Sequence, residues 1–321
     1  MCGPDAQRGV ALLTAIILVA LTTMIAAAIA FNTAMSARRG SSAIDFDAAL
    51  QFSGGAEAIA AYALSEDTRS GSKEDTAEEP WAQPFGPVEV APGIQLQAQM
   101  VDLQGRFNLN SLVDDVGKKS PKAYEVFVRL LQNLELEPKW ADMIVDWIDT
   151  DDLAEPNGAE DNVYSSENPA YRPPNAAMTS ISELLALKDF GPERYDKIAS
   201  YVAALPRSPA INSTPINLCT APAALVDALF NSQQFTKNPQ ALAILRKGKC
   251  FPTESDFLTQ NPSELQEIKD QVGIGTTSQY FRLTSLISIG TSQFALYSFL
   301  QRSNTAPGSS QALVLSRRFT E

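Results

Sequence analysis

The pattern of apolar and polar positions predicts one long N-terminal helix that begins as a membrane span. Residues 10–31 carry no charged side chain, and the next charge along the chain is Arg38. At 1.5 Å per residue such a helix is about 33 Å long, close to the thickness of the hydrocarbon core of a bilayer. From residue 34 to about residue 67, apolar residues recur at helical spacing with acidic residues between them. This second half is expected to pack on a sheet.

Alternating apolar and polar residues predict strands on both sides of a helical block. Ile94 to Leu103 nearly alternates, and further strands are predicted at 280–289, 294–301 and 312–319. The intervening chain is predicted to be helical, with helices at 123–134, 140–148, 180–187, 192–205, 223–230, 239–247, 255–258 and 264–268. A helical block inside a sheet domain indicates an insertion, so we predict an α+β fold with a large helical domain inserted between strands.

The residues before the apolar run leave two interpretations of the N-terminus. A signal peptide has an apolar region of only about 7–15 residues, so a plain membrane anchor is the simpler interpretation. The other is a leader that ends in Gln7-Arg8-Gly9 and is cut between Gly9 and Val10. Leader and helix together resemble the type IV pilin and pseudopilin family, in which prepilin peptidase removes the leader and methylates the new N-terminus.

Thr14 departs from the pattern of that family. Most pilins and pseudopilins carry Glu at the fifth mature position, where Thr14 stands in this chain. The resemblance implies that the Glu neutralises the N-terminal ammonium of a neighbouring subunit within the membrane, where a charge is costly unless it is paired. Thr14 therefore indicates a subunit that starts the filament rather than one that extends it.

Composition narrows the classes of function. The net charge of −12 argues against nucleic acid as a partner, since phosphate contacts need clustered Lys and Arg. The chain contains no histidine, which removes Ser-His-Asp and Cys-His sites and makes a zinc site a poor fit. After the leader, Cys219 and Cys250 remain, and in an oxidising compartment they are expected to form a disulfide. Two free buried thiols are the alternative.

An acidic stretch from residue 146 to residue 162 is the main candidate for chemistry. Asp149, Asp151 and Glu160 partly mimic an EF-hand loop, but Leu153 and Ala154 depart from it, so the loop is not an EF-hand. Hard oxygen ligands without nearby His or Cys favour Ca²⁺ over transition metals. The alternatives are a solvated acidic loop and a paired-carboxylate glycosidase site.

Residues 185–192 have the look of a helix-hairpin-helix turn. Such hairpins hold phosphate through backbone N–H groups. Here Asp189 and Glu193 flank the turn and would repel phosphate, so the sequence favours a structural hairpin over a DNA-binding one.

Several motifs in order give a more specific resemblance to the K-type minor pseudopilins of type II secretion. The motifs are Asp146-Trp147-Ile148-Asp149, residues 158–164, residues 168–175, Ile181-Ser182-Glu183-Leu184 and residues 217–221. The resemblance implies a pilin fold, a calcium site in the insertion, and a tip complex with I- and J-type minor pseudopilins that caps the pseudopilus alongside other pseudopilins. Carried over by position, the implied ligands are Asp149, Asp151, Glu160 and Asp161, with Asp152 and Glu155 as further candidates.

The resulting expectation is a structural, non-enzymatic subunit of the bacterial inner membrane whose globular part lies in the periplasm. Its predicted parts are a leader (1–9), a transmembrane segment (10–31), a first pilin-like part (32–110), a helical insertion (111–277) and a second pilin-like part (278–321). The competing functions are a helix-hairpin-helix component of a DNA-uptake pilus and a membrane-anchored periplasmic hydrolase. The acidic balance counts against the former and the lack of histidine against the latter.

Overall fold

One continuous helix of 63 residues, α1 (Arg8–Ser70), forms the spine of the molecule. The computed structural model describes residues 8–206, 214–253, 255–256, 265–303 and 311–319. Within these, α1 is the one helix long and apolar enough to cross a membrane, and the apolar window is not buried by any other part of the protein. Exposed Leu, Ile and Val side chains along that window would face lipid rather than water.

A five-stranded antiparallel sheet packs against the C-terminal half of α1. The strands of the molecule are β1 (Phe85–Ala91), β2 (Ile94–Asp102), β3 (Phe107–Asn108), β4 (Val202–Ala203), β5 (Ile216–Asn217), β6 (Ile274–Gly275), β7 (Tyr280–Ile289), β8 (Ser292–Ser303) and β9 (Gln311–Arg318). The sheet has the order β1-β2-β7-β8-β9, and every pairing in it is antiparallel. The prediction that the first and last strands form one sheet covering the long helix is confirmed.

The alternation in β2 explains how this sheet is buried. Leu96 and Met100 point toward α1 and are buried, whereas the glutamines between them are exposed. They join Ala60 and Leu64 of α1 in one apolar cluster. Because side chains of a strand alternate between faces, this register gives the sheet one apolar face and one polar face.

The chain leaves the sheet after β2 and returns to it at β7, and the residues between form a second core. Its helices, after α1, are α2 (Pro121–Asn133), α3 (Lys139–Ile148), α4 (Asp161–Tyr164), α5 (Gly191–Ile198), α6 (Ala223–Phe230), α7 (Gln234–Lys237), α8 (Pro239–Leu245) and α9 (Leu265–Gln271). Trp140, Phe127 and Tyr164 are among the fully buried side chains of this core. We call this part of the molecule the insertion.

Two short parallel strand pairs correct the prediction of a purely helical insertion. β3 pairs with β4, and β5 pairs with β6. The predicted helix at 192–205 ends at Ile198, because Val202 and Ala203 pair with the buried start of the insertion instead of continuing the helix. Long-range pairing of this kind leaves no local periodicity and overrides helix propensity.

The predicted helical pair around residue 190 also has a different form. Its first member is a 3₁₀ helix, Ile181–Ala186, opened by a capping box in which Ser180 and Glu183 hold each other's backbone. The predicted helix at 255–258 lies mostly outside the described residues.

A buried polar network joins the insertion to the sheet. The carboxylate of Asp102, at the end of β2, accepts hydrogen bonds from Asn217 Nδ2 (3.0 Å) and Ser278 Oγ (2.7 Å). It also accepts from the hydroxyl of Thr220 and from the backbone N–H of Gln104. Because this buried carboxylate is fully hydrogen-bonded, its position is fixed, and it ties the start and the end of the insertion to the sheet.

Candidate metal centre

Three carboxylates converge where the acidic loop leaves and rejoins the core of the insertion. Asp149 caps the C-terminus of α3, and Glu160 immediately precedes α4. Ligand oxygens of Asp149, Asp151 and Glu160 all lie within 4.8 Å of one another. Asp149 and Glu160 are each only 5% exposed, whereas Asp151 faces solvent. We call these three residues the loop cluster.

The loop cluster lacks hydrogen-bond donors. Oδ1 of Asp149 and both carboxylate oxygens of Glu160 are buried without a partner among the described residues. Burial and the neighbouring carboxylates raise the pKa of Asp149 to about 7 and the pKa of Glu160 to about 7. Buried carboxylate oxygens without donors are costly unless a cation binds them, so the residues present fit a hard cation such as Ca²⁺.

Two further aspartates on α3 hold the loop rather than face the cluster. Asp146 is completely buried and accepts the backbone N–H of Glu155 at 3.1 Å and 3.2 Å. A Cβ at Gly158 would lie 1.9 Å from Oδ2 of Asp146, so only glycine allows the loop to pass this carboxylate. Asp142 accepts hydrogen bonds from Tyr124 and from the side chain of Asn157.

The remaining predicted ligands lie beside the loop cluster rather than in it. Glu155 forms an ion pair with Lys119 at 2.6 Å, and Asp161 forms one with Arg172 at 3.2 Å. Asp152 is exposed, and its charge contributes to the raised pKa of Glu160. The structure therefore brings three of the six predicted ligands together and directs two others to basic side chains.

Asn175 is a residue that the sequence did not single out as a ligand. Its side-chain nitrogen donates to the backbone carbonyl of Asp151 at 3.3 Å, and its Oδ1 is buried without a partner. An amide carbonyl is a calcium-type donor. Only its place in the proline-rich run after the acidic loop pointed to it, because its approach to Asp151 depends on the fold.

The other predicted site residues lie far from the loop cluster in the chain. Cys219 and Cys250 are joined by a disulfide and are buried. Val10 and Thr14 lie in the apolar part of α1, where the Thr14 hydroxyl donates to the backbone carbonyl of Ala11 at 3.0 Å. Gly9 is within α1 as well.

A second acidic group lies at the junction of α1 and the insertion. Ligand oxygens of Asp67, Asp75 and Glu79 also lie within 4.8 Å of one another. Here the buried guanidinium of Arg302 pairs with Asp67 at 2.9 Å and with Asp75. We call these four residues the junction cluster.

Comparison with known proteins identifies relatives over almost the whole chain. The family model "Type II secretion system (T2SS), protein K" matches residues 105–207. Type II secretion system protein K of Pseudomonas aeruginosa is 32% identical over 307 residues, 92% of this chain and 89% of that protein. The protein of the same name from Klebsiella pneumoniae is 29% identical, over 98% of this chain and 96% of that one.

A solved structure agrees with the fold as well. It is that of the GspK-GspI-GspJ complex from the type 2 secretion system of enterotoxigenic Escherichia coli. The matched chain aligns with a TM-score of 0.73 at 25% identity, covering 88% of this chain and 99% of that chain. On the strength of this fold and of relatives matched along nearly their whole length, the chain belongs to the type II secretion system protein K family.

Proposed function

We propose that this protein is the minor pseudopilin that starts or caps the pseudopilus at its tip during export of folded proteins across the outer membrane. Membership of the protein K family supports the assignment to type II secretion. The assignment to the tip depends on Thr14. Its hydroxyl is satisfied by the carbonyl of Ala11 in the same helix, so this position offers a neighbour no carboxylate.

The tip assignment is tested by the location of the subunit on purified pseudopili. Immunogold labelling of the wild-type protein is expected at one end of each filament. The variant Thr14→Glu restores the carboxylate and is expected to appear along the shaft as well, whereas Thr14→Ser should remain at the end. Label along the shaft in the wild type would overturn the assignment.

We propose that I- and J-type minor pseudopilins are the partners of this protein. The solved relative was crystallised as a GspK-GspI-GspJ complex, and the fold similarity covers 99% of that chain. Co-expression of the three proteins from one bacterium should give a complex that co-purifies through a tag on any one of them. Separate elution of this protein from the other two would contradict the proposal.

We propose that prepilin peptidase cuts between Gly9 and Val10 and that α1 then spans the inner membrane with the globular part in the periplasm. The exposed apolar window of α1 and the disulfide support this location. Mass spectrometry of the protein from a cell with the peptidase should give a chain that begins with methylated Val10. An unprocessed N-terminus in those cells would favour a plain anchor.

We propose that the loop cluster holds structural Ca²⁺, with Asp149, Asp151 and Glu160 as ligands. Asp161, Asp152 and Glu155 remain the further candidates of the sequence, and Asn175 joins them through its unpartnered Oδ1. When bound, the ion supplies the positive charge that the loop lacks. The function proposed is structural rather than catalytic, and the relatives are named as secretion components rather than as hydrolases or DNA-uptake proteins.

A further inference from the structure

A cleft of about 530 Å³ lies between the insertion and the segment that follows α1. Residues 72–79 contribute one wall, and α8 with the turn after it contributes the other. Cys219 of the disulfide also lines the cleft. Its volume is within the range of about 300–1,000 Å³ that is typical of small-ligand sites.

The wall formed by the insertion carries a basic group without a counter-ion. The guanidinium of Arg246 donates to the backbone carbonyls of Phe251, at 2.6 Å, and Leu218. No carboxylate among the described residues pairs with it, and burial lowers the pKa of Arg246 to about 10. A desolvated cation held only by carbonyl dipoles favours a carboxylate from outside the chain. Lys249 lines the same wall.

The opposite wall carries acidic groups that are equally unengaged. A carboxylate oxygen of Glu74 lies within 4.8 Å of the sulfur atoms of Cys219 and Cys250. Glu78 lines the cleft nearby and is exposed. Neither side chain forms an ion pair with another described residue. In contrast, the third acid on this wall, Glu79, accepts hydrogen bonds from Ser72, Thr76 and Trp81.

We propose that this cleft binds a short peptide segment of another protein that carries both an acidic and a basic group. Its carboxylate lies against Arg246 and Lys249, and its ammonium or guanidinium lies against Glu74 and Glu78. A purely acidic or purely basic ligand would meet repulsion from one wall, so the arrangement selects a peptide with both charges. This binding site is independent of the tip position and of the calcium site.

The test measures peptide binding by fluorescence anisotropy with the full-length protein in detergent micelles. The probe is a fluorescein-labelled hexapeptide that contains Lys-Ser-Asp and has a blocked C-terminus. Two matched probes replace Asp by Asn or Lys by Gln. A fourth probe replaces Asp by Asn and leaves the C-terminus free, which tells a side-chain carboxylate from a chain terminus.

We expect Lys249→Gln to weaken binding of the parent peptide about threefold and not to change binding of the Asn peptide. Glu78→Gln should weaken the parent peptide to a similar extent and leave the Gln peptide unchanged. Arg246→Gln should weaken the parent at least about tenfold. Lys247→Gln is the matched control, because Lys247 is exposed beside this wall but does not line the cleft.

Two results would overturn the proposal: no binding of the parent or free-terminus peptide up to about 1 mM, or equal effects of Lys249→Gln and Lys247→Gln. Because Arg246 also holds two backbone carbonyls, its variant counts only when its melting temperature equals that of the wild type. Lys249→Gln provides the decision without that condition. Tighter binding of the free-terminus peptide than of the parent supports the site with a chain terminus as the carboxylate.

Discussion

The two acidic clusters of this protein contain the same number of carboxylates at the same mutual distance, but their charges are balanced in different ways. In the junction cluster, Arg302 pairs with two of the carboxylates, and the third accepts three hydrogen bonds. In the loop cluster, no described Arg or Lys forms an ion pair with Asp149, Asp151 or Glu160, and three buried oxygens have no donor.

This difference teaches that an acidic cluster by itself says little about metal binding. The junction cluster has its positive charge built into the fold, so it acts as a structural connection between α1 and β8. The loop cluster has carboxylate oxygens aimed at one another with nothing between them, which is the arrangement that a cation stabilises. The predictions below test whether one cluster is closed and the other open.

Removal of the Arg302 guanidinium should have the largest effect. Arg302→Met leaves Asp67 and Asp75 buried without their partner, and breaking such a pair costs about 3–5 kcal/mol. The free energy of unfolding, measured by urea denaturation, should fall by that amount. Arg69→Met is the control, because the Arg69–Glu66 pair is exposed and is expected to contribute less than about 1 kcal/mol. A similar loss in both variants would mean that the junction cluster is not a buried connection.

Calcium should have the next largest effect, through the loop cluster. At a calcium concentration about 100 times the dissociation constant, binding adds about 2.7 kcal/mol, which raises the melting temperature by roughly 5–10 °C. Scanning calorimetry of the full-length protein with calcium and with chelator measures this shift.

The variant Glu160→Gln decides whether the shift comes from the loop cluster. It should lose most of the calcium-dependent increase and melt at or above the wild-type temperature in chelator, because it removes an uncompensated buried charge. Asp67→Asn should keep the full increase. A calcium shift that survives in Glu160→Gln would place the ion elsewhere.

The junction cluster should give a smaller, pH-dependent effect. Burial, Glu79 and Asp75 raise the pKa of Asp67 to about 7, against the opposing effect of Arg302. The folded protein therefore binds more protons than the unfolded chain between about pH 4 and 7, and the stability due to this proton is lost as pH rises through 7. In saturating calcium, the melting temperature should fall from pH 5.5 to pH 8. Asp67→Asn should reduce that fall by about 1 kcal/mol or less, since screening limits the effect. An unchanged pH profile would exclude Asp67 as the group that titrates.

The smallest effect should come from the predicted ligands outside the loop cluster. Asp161 forms an exposed ion pair with Arg172, so Asp161→Asn should cost no more than about 0.5–1 kcal/mol and should keep the calcium-dependent melting shift. Calorimetry with calcium and with chelator measures both quantities. Loss of the shift in this variant would show that Asp161 turns toward the ion when calcium binds.

Much of the fold could be predicted because it depends on local periodicity. The apolar run in α1, the alternation in β2 and the strand at Tyr280–Ile289 each have a regular sequence pattern. The pairs β3–β4 and β5–β6 could not be predicted, since two-residue strands have no period and owe their conformation to partners distant in the chain. For the same reason the predicted helix at 192–205 was too long.

The candidate site divides in the same way. The sequence indicated an acidic loop and oxygen ligands, and it named all three members of the loop cluster. It did not tell them from Glu155 and Asp161, because only the fold brings Lys119 and Arg172 to those carboxylates. Nor did it find the junction cluster, whose members Asp75 and Arg302 are separated by 227 residues.

By itself, then, the sequence determined the membrane helix, the sheet strands and the presence of an acidic loop, because hydrophobic periodicity and charge are properties of neighbouring residues. The tertiary structure alone decided which carboxylates converge and which cations meet them. It also decided where Arg246 is left without a carboxylate partner. Burial and electrostatic balance depend on groups brought together from distant parts of the chain, and the spacing of residues along a sequence does not contain that information.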